Sequence, residues 1–239
     1  MVAVPLSDLF GAMEATWPPV AAQLIGPWKV RQGGGGGKRV AATSAIAPVA
    51  EADLPIAEAA MAALGQALLF VLRPEDAGLD ALLAARGYRL VDPVVIYAAD
   101  APPLAAAPWA AVAAIAHWPP LEIVKQIWAD GGIGPARLAV MDRVAVPKTA
   151  ILGRSSGRAA GAAFVAAASD AAFVHALEVR PALRRQGTAA NIMKMAAKWA
   201  VSVGASQLAL AVTEANAPAR HLYASLGMTI VGTYHYRQK

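Results

Sequence analysis

A chain of 239 residues, 57% hydrophobic and 15% charged, holds ample apolar side chain for one large core or two small ones. It contains no cysteine, which excludes disulfides and cysteine-ligated metals and gives no reason to expect an oxidising compartment. The net charge of +5 is dispersed and not interleaved with aromatics, so it implies a basic surface and a pocket for a polyanion, not a nucleic-acid stripe.

The first ten residues contain Pro5 and Asp8 and no basic stretch ahead of an apolar one, so no signal peptide is expected. No uncharged, proline-free apolar run reaches the length of a membrane span, and the cytoplasm is the expected compartment. Residues 7–16 read as a short helix ahead of Trp17-Pro18-Pro19. Residues 28–31 and 39–44 read as paired strands joined by Gly33 to Gly37. A strand and no helix is expected after those glycines, which argues for a flexible connection and against a phosphate cradle.

Four elements follow: a helix over 56–64, a strand over 67–72, a helix over 79–86 and a strand over 88–98 bent at Pro93. Residues 99–120, rich in Pro and Ala, read as a connector that packs. Two helices over 121–130 and 134–144 come next, and then strands over 148–154 and 158–169 pair around Ser155-Ser156-Gly157 as a hairpin.

The segment after the hairpin carries the chemistry. Ala171 to Val179 is an apolar strand, and a basic turn with one glycine, Gly187, leads from it into an amphipathic helix that lasts to about Val203. Ile192, Ala196, Trp199 and Val203 fall on one face of that helix. A glycine that permits φ > 0 at a helix start lets the amides from Arg185 to Ala189 point into one concavity, where the helix dipole favours an anion. Arg184 and Arg185 add mobile charge. Residues 207–213 form a second strand. Residues 216–227 form a complete short helix, with Asn216 as N-cap, Pro218 in the first turn and Gly227 just past the end. Strand alternation sets His175, Leu177 and Val179 on one face and Ala176 and Glu178 on the other.

In this order of pieces the chain resembles the GNAT superfamily of acyl-CoA-dependent N-acetyltransferases. The family's phosphate loop, Arg/Gln-x-x-Gly-x-Gly/Ala, appears as Arg184-Arg185-Gln186-Gly187-Thr188-Ala189, and its later Asn and Tyr correspond to Asn216 and Tyr223. The resemblance covers roughly residue 121 to the C-terminus. It implies an α/β GNAT fold, a mixed and mostly antiparallel sheet with helices on both faces. It implies acetyl-CoA as co-substrate, held by Arg184, Arg185, Gln186, Gly187, Thr188, Ala189 and Ala190, by backbone groups of Leu177 and Val179, and by Asn216 and Tyr223; no metal is implied. The implied reaction moves an acetyl group to a primary amine, of a small molecule or a peptide, by direct attack in a ternary complex.

Tyr223, a phenol on a short rigid helix, suits protonation of the departing thiolate. His175, Glu178 and Asp170, or an ordered water, are the candidates for taking the proton of the amine. His175-Ala176-Leu177-Glu178-Val179 resembles the corresponding strand of the serotonin N-acetyltransferase branch, where a His at this place is regarded as the proton acceptor, and an imidazole titrates near neutrality. The helices over 121–130 and 134–144 would be the family's first two, so Trp118, Trp128 and Gly131-Gly132-Ile133-Gly134 are expected to border the acceptor. The alternative is a non-catalytic coenzyme A-binding or interaction module. Nucleic-acid and membrane partners are not expected, and a homodimer is left open.

The first half repeats the second in outline. Gly65 and Gly87 close helices 22 positions apart, and Gly204 and Gly227 do so 23 apart, with strands between in the same order. The position four before Gly87 is Leu83, where Tyr223 stands four before Gly227, and no Arg-x-x-Gly-x-Ala turn precedes residue 56. The expectation is a degenerate GNAT-like lobe over 1–100, a connector over 101–120 and a catalytic domain over 121–239.

Overall fold

The computed structural model describes residues 5–109 and 113–239. Residues 1–4, where the leader was sought, and 110–112 of the connector lie outside the described residues. In chain order the elements are α1 (Leu6–Ala15), β1 (Ala21–Ile25), β2 (Trp28–Gln32), α2 (Lys38–Ala41), β3 (Ser44–Ala45), α3 (Leu54–Ala63), β4 (Leu69–Leu72), α4 (Ala77–Ala85), β5 (Arg89–Asp100) and α5 (Ala101–Ala106). There follow β6 (Ala114–His117), α6 (Glu122–Asp130), α7 (Pro135–Arg143), β7 (Lys148–Ser155), β8 (Arg158–Ala168), β9 (Ala171–Val179), α8 (Thr188–Ser202), β10 (Gln207–Thr213), α9 (Ala217–Ser225) and β11 (Thr229–Gln238).

Two compact units interleave along the chain. The larger comprises Met1–Trp17, Ile96–Val212 and Ala217–Val231; the smaller comprises Pro18–Val95, Thr213–Asn216 and Gly232–Lys239. β5 and β11 each begin in one unit and end in the other. A division near residue 100 therefore does not follow the compact units: α1 belongs with the larger and the chain's last residues with the smaller.

In the smaller unit β2 pairs antiparallel with β1, Trp28 opposite Ile25, and with β3, Trp28 opposite Ala45. Thr43 bridges Phe70 in parallel, donating its N–H to Leu69 O while Val71 N donates to its carbonyl. β4 pairs antiparallel with the end of β11, Leu72 opposite His235. Trp28, Leu54, Met61, Phe70, Leu83 and Tyr88 fill the core. The glycine run departs from the expectation. A one-turn helix, α2, starts directly after Gly37, and the hairpin partner of β2 is β1. Gly37 has φ 104°, and a Cβ on Gly33 would lie 2.7 Å from that of Ala41, so the run folds back on α2. Gln66 fixes this fold: its Oε1 accepts from Gly33 N at 2.6 Å and its Nε2 donates to Arg31 O at 2.8 Å.

The repeat read from glycine spacing has a geometric counterpart. Gly65 (φ 64°) and Gly204 (φ 90°) end α3 and α8; Gly87 (φ 81°) and Gly227 (φ 78°) end α4 and α9. Each closes its helix with the same two bonds. Gly87 N reaches Ala84 O and Tyr88 N reaches Leu83 O; Gly227 N reaches Ala224 O and Met228 N reaches Tyr223 O. This is the Schellman closure, which needs a left-handed residue. The antiparallel β1-β2-β3 followed by a parallel step to β4 also repeats β7-β8-β9 followed by β10. At the start of α3, however, Asp53 Oδ2 already accepts from Ala50 N at 2.8 Å, beside Glu51. Carboxylates thus stand ahead of α3, where arginines stand ahead of α8.

In the larger unit the sheet runs β11-β5-β10-β9-β8-β7-β6, antiparallel from β6 to β9 and parallel between β9 and β10. α8 packs on β6 to β9 with α5 against it, while α6 and α1 pack on β8 and β9. β8 is buried from Ala160 to Ala167, as a central strand covered on both faces must be. The segment read as a connector contains α5 and β6, so it is part of the layer structure. The buried stripe of α8 is Thr188, Ile192, Met193, Ala196, Ala197 and Ala200; Trp199 is half-buried and Val203 exposed, because the helix turns its alanines to the sheet. Lys148 Nζ ends α7 by donating to Met141 O, Asp142 O and Val144 O while lying 4.6 Å over the Trp118 ring.

Candidate active site

β9 has strand partners on both sides for only its first half. Its register with β10 runs from Ala171 opposite Gln207 to Val174 opposite Leu210 and stops, although β9 continues to Val179 and β10 to Thr213. Among the described residues that pairing does not resume, which leaves the edge of β9 from Ala176 to Val179 outside the ladder with β10. Ala176 marks the change, with φ 52°. The register with β8 shifts there, Phe164 standing opposite His175 and Ala162 opposite Glu178. The extra residue is a β-bulge, which bends a strand and sharpens its twist. The Ala176 carbonyl accepts the Nε1–H of Trp128 at 2.8 Å.

The bulge corrects the face assignment. Ala162 and Phe164 share a face of β8, so their partners Glu178 and His175 share a face of β9. Val179, opposite Gly161, lies on the other face, towards Ile192 of α8. His175, Leu177 and Val179 do not form one row, as unbroken alternation would have it.

Beyond Val179 a single 3-10 turn, Pro181–Leu183, leads to Arg184. Arg185 (φ 63°) and Gly187 (φ 80°) are both left-handed, and Gly187 is the N-cap of α8. A glycine cap supplies no side-chain acceptor. The first helical bond is Asn191 N to Gly187 O, so the amides of Thr188, Ala189 and Ala190 have none within the helix. Among the described residues the buried Thr188 hydroxyl has no hydrogen-bond partner, and a Cβ on Gly187 would meet nothing within 4 Å beyond its chain neighbours. Two glycines below let the helix start sit this low. A Cβ on Gly153 would lie 2.6 Å from Ile192 Cδ1 and 2.8 Å from Thr188 Cγ2, and one on Gly161 3.1 Å from Ile192 Cδ1. Gln186 Oε1 accepts from Ser155 Oγ of the β7–β8 hairpin at 2.6 Å. Outward amides, an orphaned hydroxyl and a Cβ-free hollow at a positive helix end fit a pyrophosphate.

Tyr223 is 6% exposed on α9, its ring 5.6 Å from that of Tyr97. Burial pushes its phenol up to about 12, so it is a proton donor across the neutral range. The side chain of Glu178, 21% exposed, accepts from Arg184 Nη2 at 3.1 Å, and Arg184 Nε donates to Val179 O at 3.0 Å.

Residues 129–228 match the model of the Acetyltransferase (GNAT) family, a stretch that begins in α6 and ends at Met228, just beyond α9. They form a GNAT domain. No curated protein matches the chain. Among solved structures, a GCN5-related N-acetyltransferase from Kribbella flavida superposes with TM-score 0.74 at 20% identity over 100% of this chain and 96% of its own. A putative GNAT-family acetyltransferase from Novosphingobium aromaticivorans gives 0.61 at 22% identity, covering 98% and 96%. A tandem GNAT protein from the clavulanic acid biosynthesis pathway gives 0.63 at 16% identity, covering 100% and 89%. At these identities the likeness is one of fold, and it extends over the whole chain.

Within the GNAT domain the three candidate proton acceptors have different surroundings. His175 is 6% exposed, with Nε2 2.9 Å from Thr16 Oγ1. The Thr16 hydroxyl also lies 2.8 Å from Ala12 O, which takes its one proton whenever Nε2 is the donor to it. The imidazole lies between Trp17 and Phe173, at 4.9 and 5.9 Å. Asp170 stands at the opposite end of β9 from the turn. Its carboxylate accepts from Ser206 N and Ser206 Oγ, bonds that hold it below the usual range. Only Glu178 combines a partly open carboxylate with a place beside the turn.

Asn216 immediately precedes α9, its N–H donating to Thr213 O. Trp128 is fully buried and serves the bulge; Trp118 is half-buried under Lys148. Sequence reasoning missed Ser155, Gly153 and Gly161. The glycines in two otherwise apolar strands were the available signal, since glycine within a strand marks close approach of another element. A concavity of about 520 Å³, lined by Leu104, Gln207, Leu226 and Val231 among others, lies at the starting end of β10 and contains none of the candidate residues.

Proposed function

We propose that the chain is an N-acetyltransferase that moves the acetyl group of acetyl-CoA to a primary amine. The observation that carries this is the open start of α8 at the end of a strand that has parted from its neighbour. The amides of Thr188 to Ala190, with Arg184 and Arg185, would hold the pyrophosphate, and the edge of β9 around Leu177 and Val179, past its last pairing with β10, would take the pantetheine arm as a further strand. Bound there, acetyl-CoA supplies a thioester carbonyl. As the amine nitrogen bonds to that carbon and the C–S bond breaks, Glu178 receives the nitrogen's proton, directly or through one water, and Tyr223 gives its proton to sulfur.

Isothermal titration with acetyl-CoA followed by an amine panel tests the proposal. One equivalent should bind per chain, because the first copy of the repeat carries Glu51 and Asp53 where the second carries its arginines. A second equivalent would show that the first copy has kept a site. Binding with no turnover of any amine would leave a coenzyme A-binding module.

The proton acceptor has its own test. Glu178→Gln should lower kcat/KM for the amine by roughly 10²–10⁴-fold and leave Tm and the acetyl-CoA Kd little changed. His175→Gln, which breaks the bond to Thr16, should instead lower Tm and leave kcat/KM near the wild-type value. The reverse pattern would return the role to His175.

A further inference from the structure

We infer that Gly131 is a positioning residue for Glu178, a role that rests on the proton-acceptor reading above. Gly131 caps the C-terminus of α6 with φ −87° and ψ 7°, a conformation open to any residue, so the backbone does not call for glycine there. Its neighbour Gly132, at φ 77°, is the opposite case. What Gly131 provides is space. A Cβ on it would lie 2.5 Å from Glu178 Cγ, 2.8 Å from Cδ and 3.0 Å from Oε2.

Cγ and Cδ are the stem of the side chain, so rotating the carboxylate alone cannot relieve the overlap. The surroundings resist larger movement. Arg184 Nη2 donates to Glu178 Oε1 from one side at 3.1 Å. α6 is held on β9 by Trp128 Nε1 to Ala176 O at 2.8 Å, and Arg180 Nη2 reaches Asp130 Oδ2 at 3.5 Å. The last turn of α6 is thus a notch, and Glu178 is seated in it by a missing methyl group.

The variants are Gly131→Ala, Glu178→Gln, Glu178→Ala and the double variant Gly131→Ala/Glu178→Ala. Each is assayed at saturating acetyl-CoA against lysine, spermidine, glucosamine and 2-phenylethylamine. Gly131→Ala should reduce kcat/KM for the amine on the order of 10²-fold, as misplacement of a reacting group does. It should leave the acetyl-CoA Kd unchanged. Alanine at 178 removes Cγ, Cδ and the carboxylate and so vacates the disputed space, and the double variant should match Glu178→Ala alone. Thermal melting supplies a second cycle: Gly131→Ala should lower Tm in the wild-type background but not beside Glu178→Ala.

A wild-type rate in Gly131→Ala, or additive losses in the double variant, would overturn the inference. Loss of activity in Glu178→Gln without loss in Gly131→Ala sinks this role alone. A full rate in Glu178→Gln removes the proton-acceptor reading and the positioning role with it, and so does failure to turn over any amine.

Discussion

Gly187→Val is expected to abolish acetyl-CoA binding while the chain stays folded. At φ 80° a residue with a Cβ is strained by about 1–2 kcal/mol, and a β-branched one more. Beyond its chain neighbours, nothing among the described residues lies within 4 Å of where that Cβ would be. The isopropyl group would therefore stand in the hollow that the amides of Thr188 to Ala190 surround. Strain and occlusion act together on binding, whereas only strain acts on folding. For a chain of this length each kcal/mol lowers Tm by roughly 2–4 °C. The expected titration shows no heat at concentrations that saturate the wild type, with a cooperative melt a few degrees lower. Gly187→Ala, which adds the strain and little bulk, should fall between. Undiminished affinity in the valine variant would remove the turn from the cofactor site.

Tyr223→Phe should lower kcat by roughly 10²–10⁴-fold, the usual worth of a positioned acid, with the acetyl-CoA Kd and Tm little changed. The variant removes one hydroxyl that has no hydrogen-bond partner among the described residues, so no group is left unpaired behind it. The pH dependence follows from the phenol's elevation to about 12. A group protonated below its pKa is lost as an acid only when pH rises through that value. Deprotonation of Tyr223 therefore contributes no basic limb in the neutral and mildly alkaline range, and the phenylalanine variant should run below the wild type by a constant factor there. A wild-type kcat in Tyr223→Phe would transfer protonation of sulfur to solvent.

The parts of this architecture legible in the sequence are those where conformation forces residue type. Gly65, Gly87, Gly204 and Gly227 announce four helix ends because a left-handed residue after a helix is costly for anything but glycine. Gly187, between arginines and an amphipathic helix, announces the turn in the same way. The bulge does not announce itself. Ala176 adopts φ 52° with an ordinary side chain, and the register shift that compensates lies on β8. Without it, alternation assigns His175 and Glu178 to opposite faces, and the relation between them is lost. β1 was invisible for another reason: its residues are exposed along nearly their whole length, so Ala21 to Ile25 show no alternation. Thr16, the partner of His175, is 159 positions away, and no local pattern carries such a pairing.

The interleaving of the two units bears on how such a chain can change by descent. The smaller unit needs the final residues of the chain, where β11 supplies the antiparallel partner of β4. The larger needs α1 and the residues just after it, where Thr16 meets His175. No terminal deletion removes one unit and spares the other, and no single break in the gene returns a self-sufficient half. A unit with no ligand site of its own is ordinarily free to decay. Here the smaller unit is locked in by the path of the chain, and its persistence calls for no activity of its own.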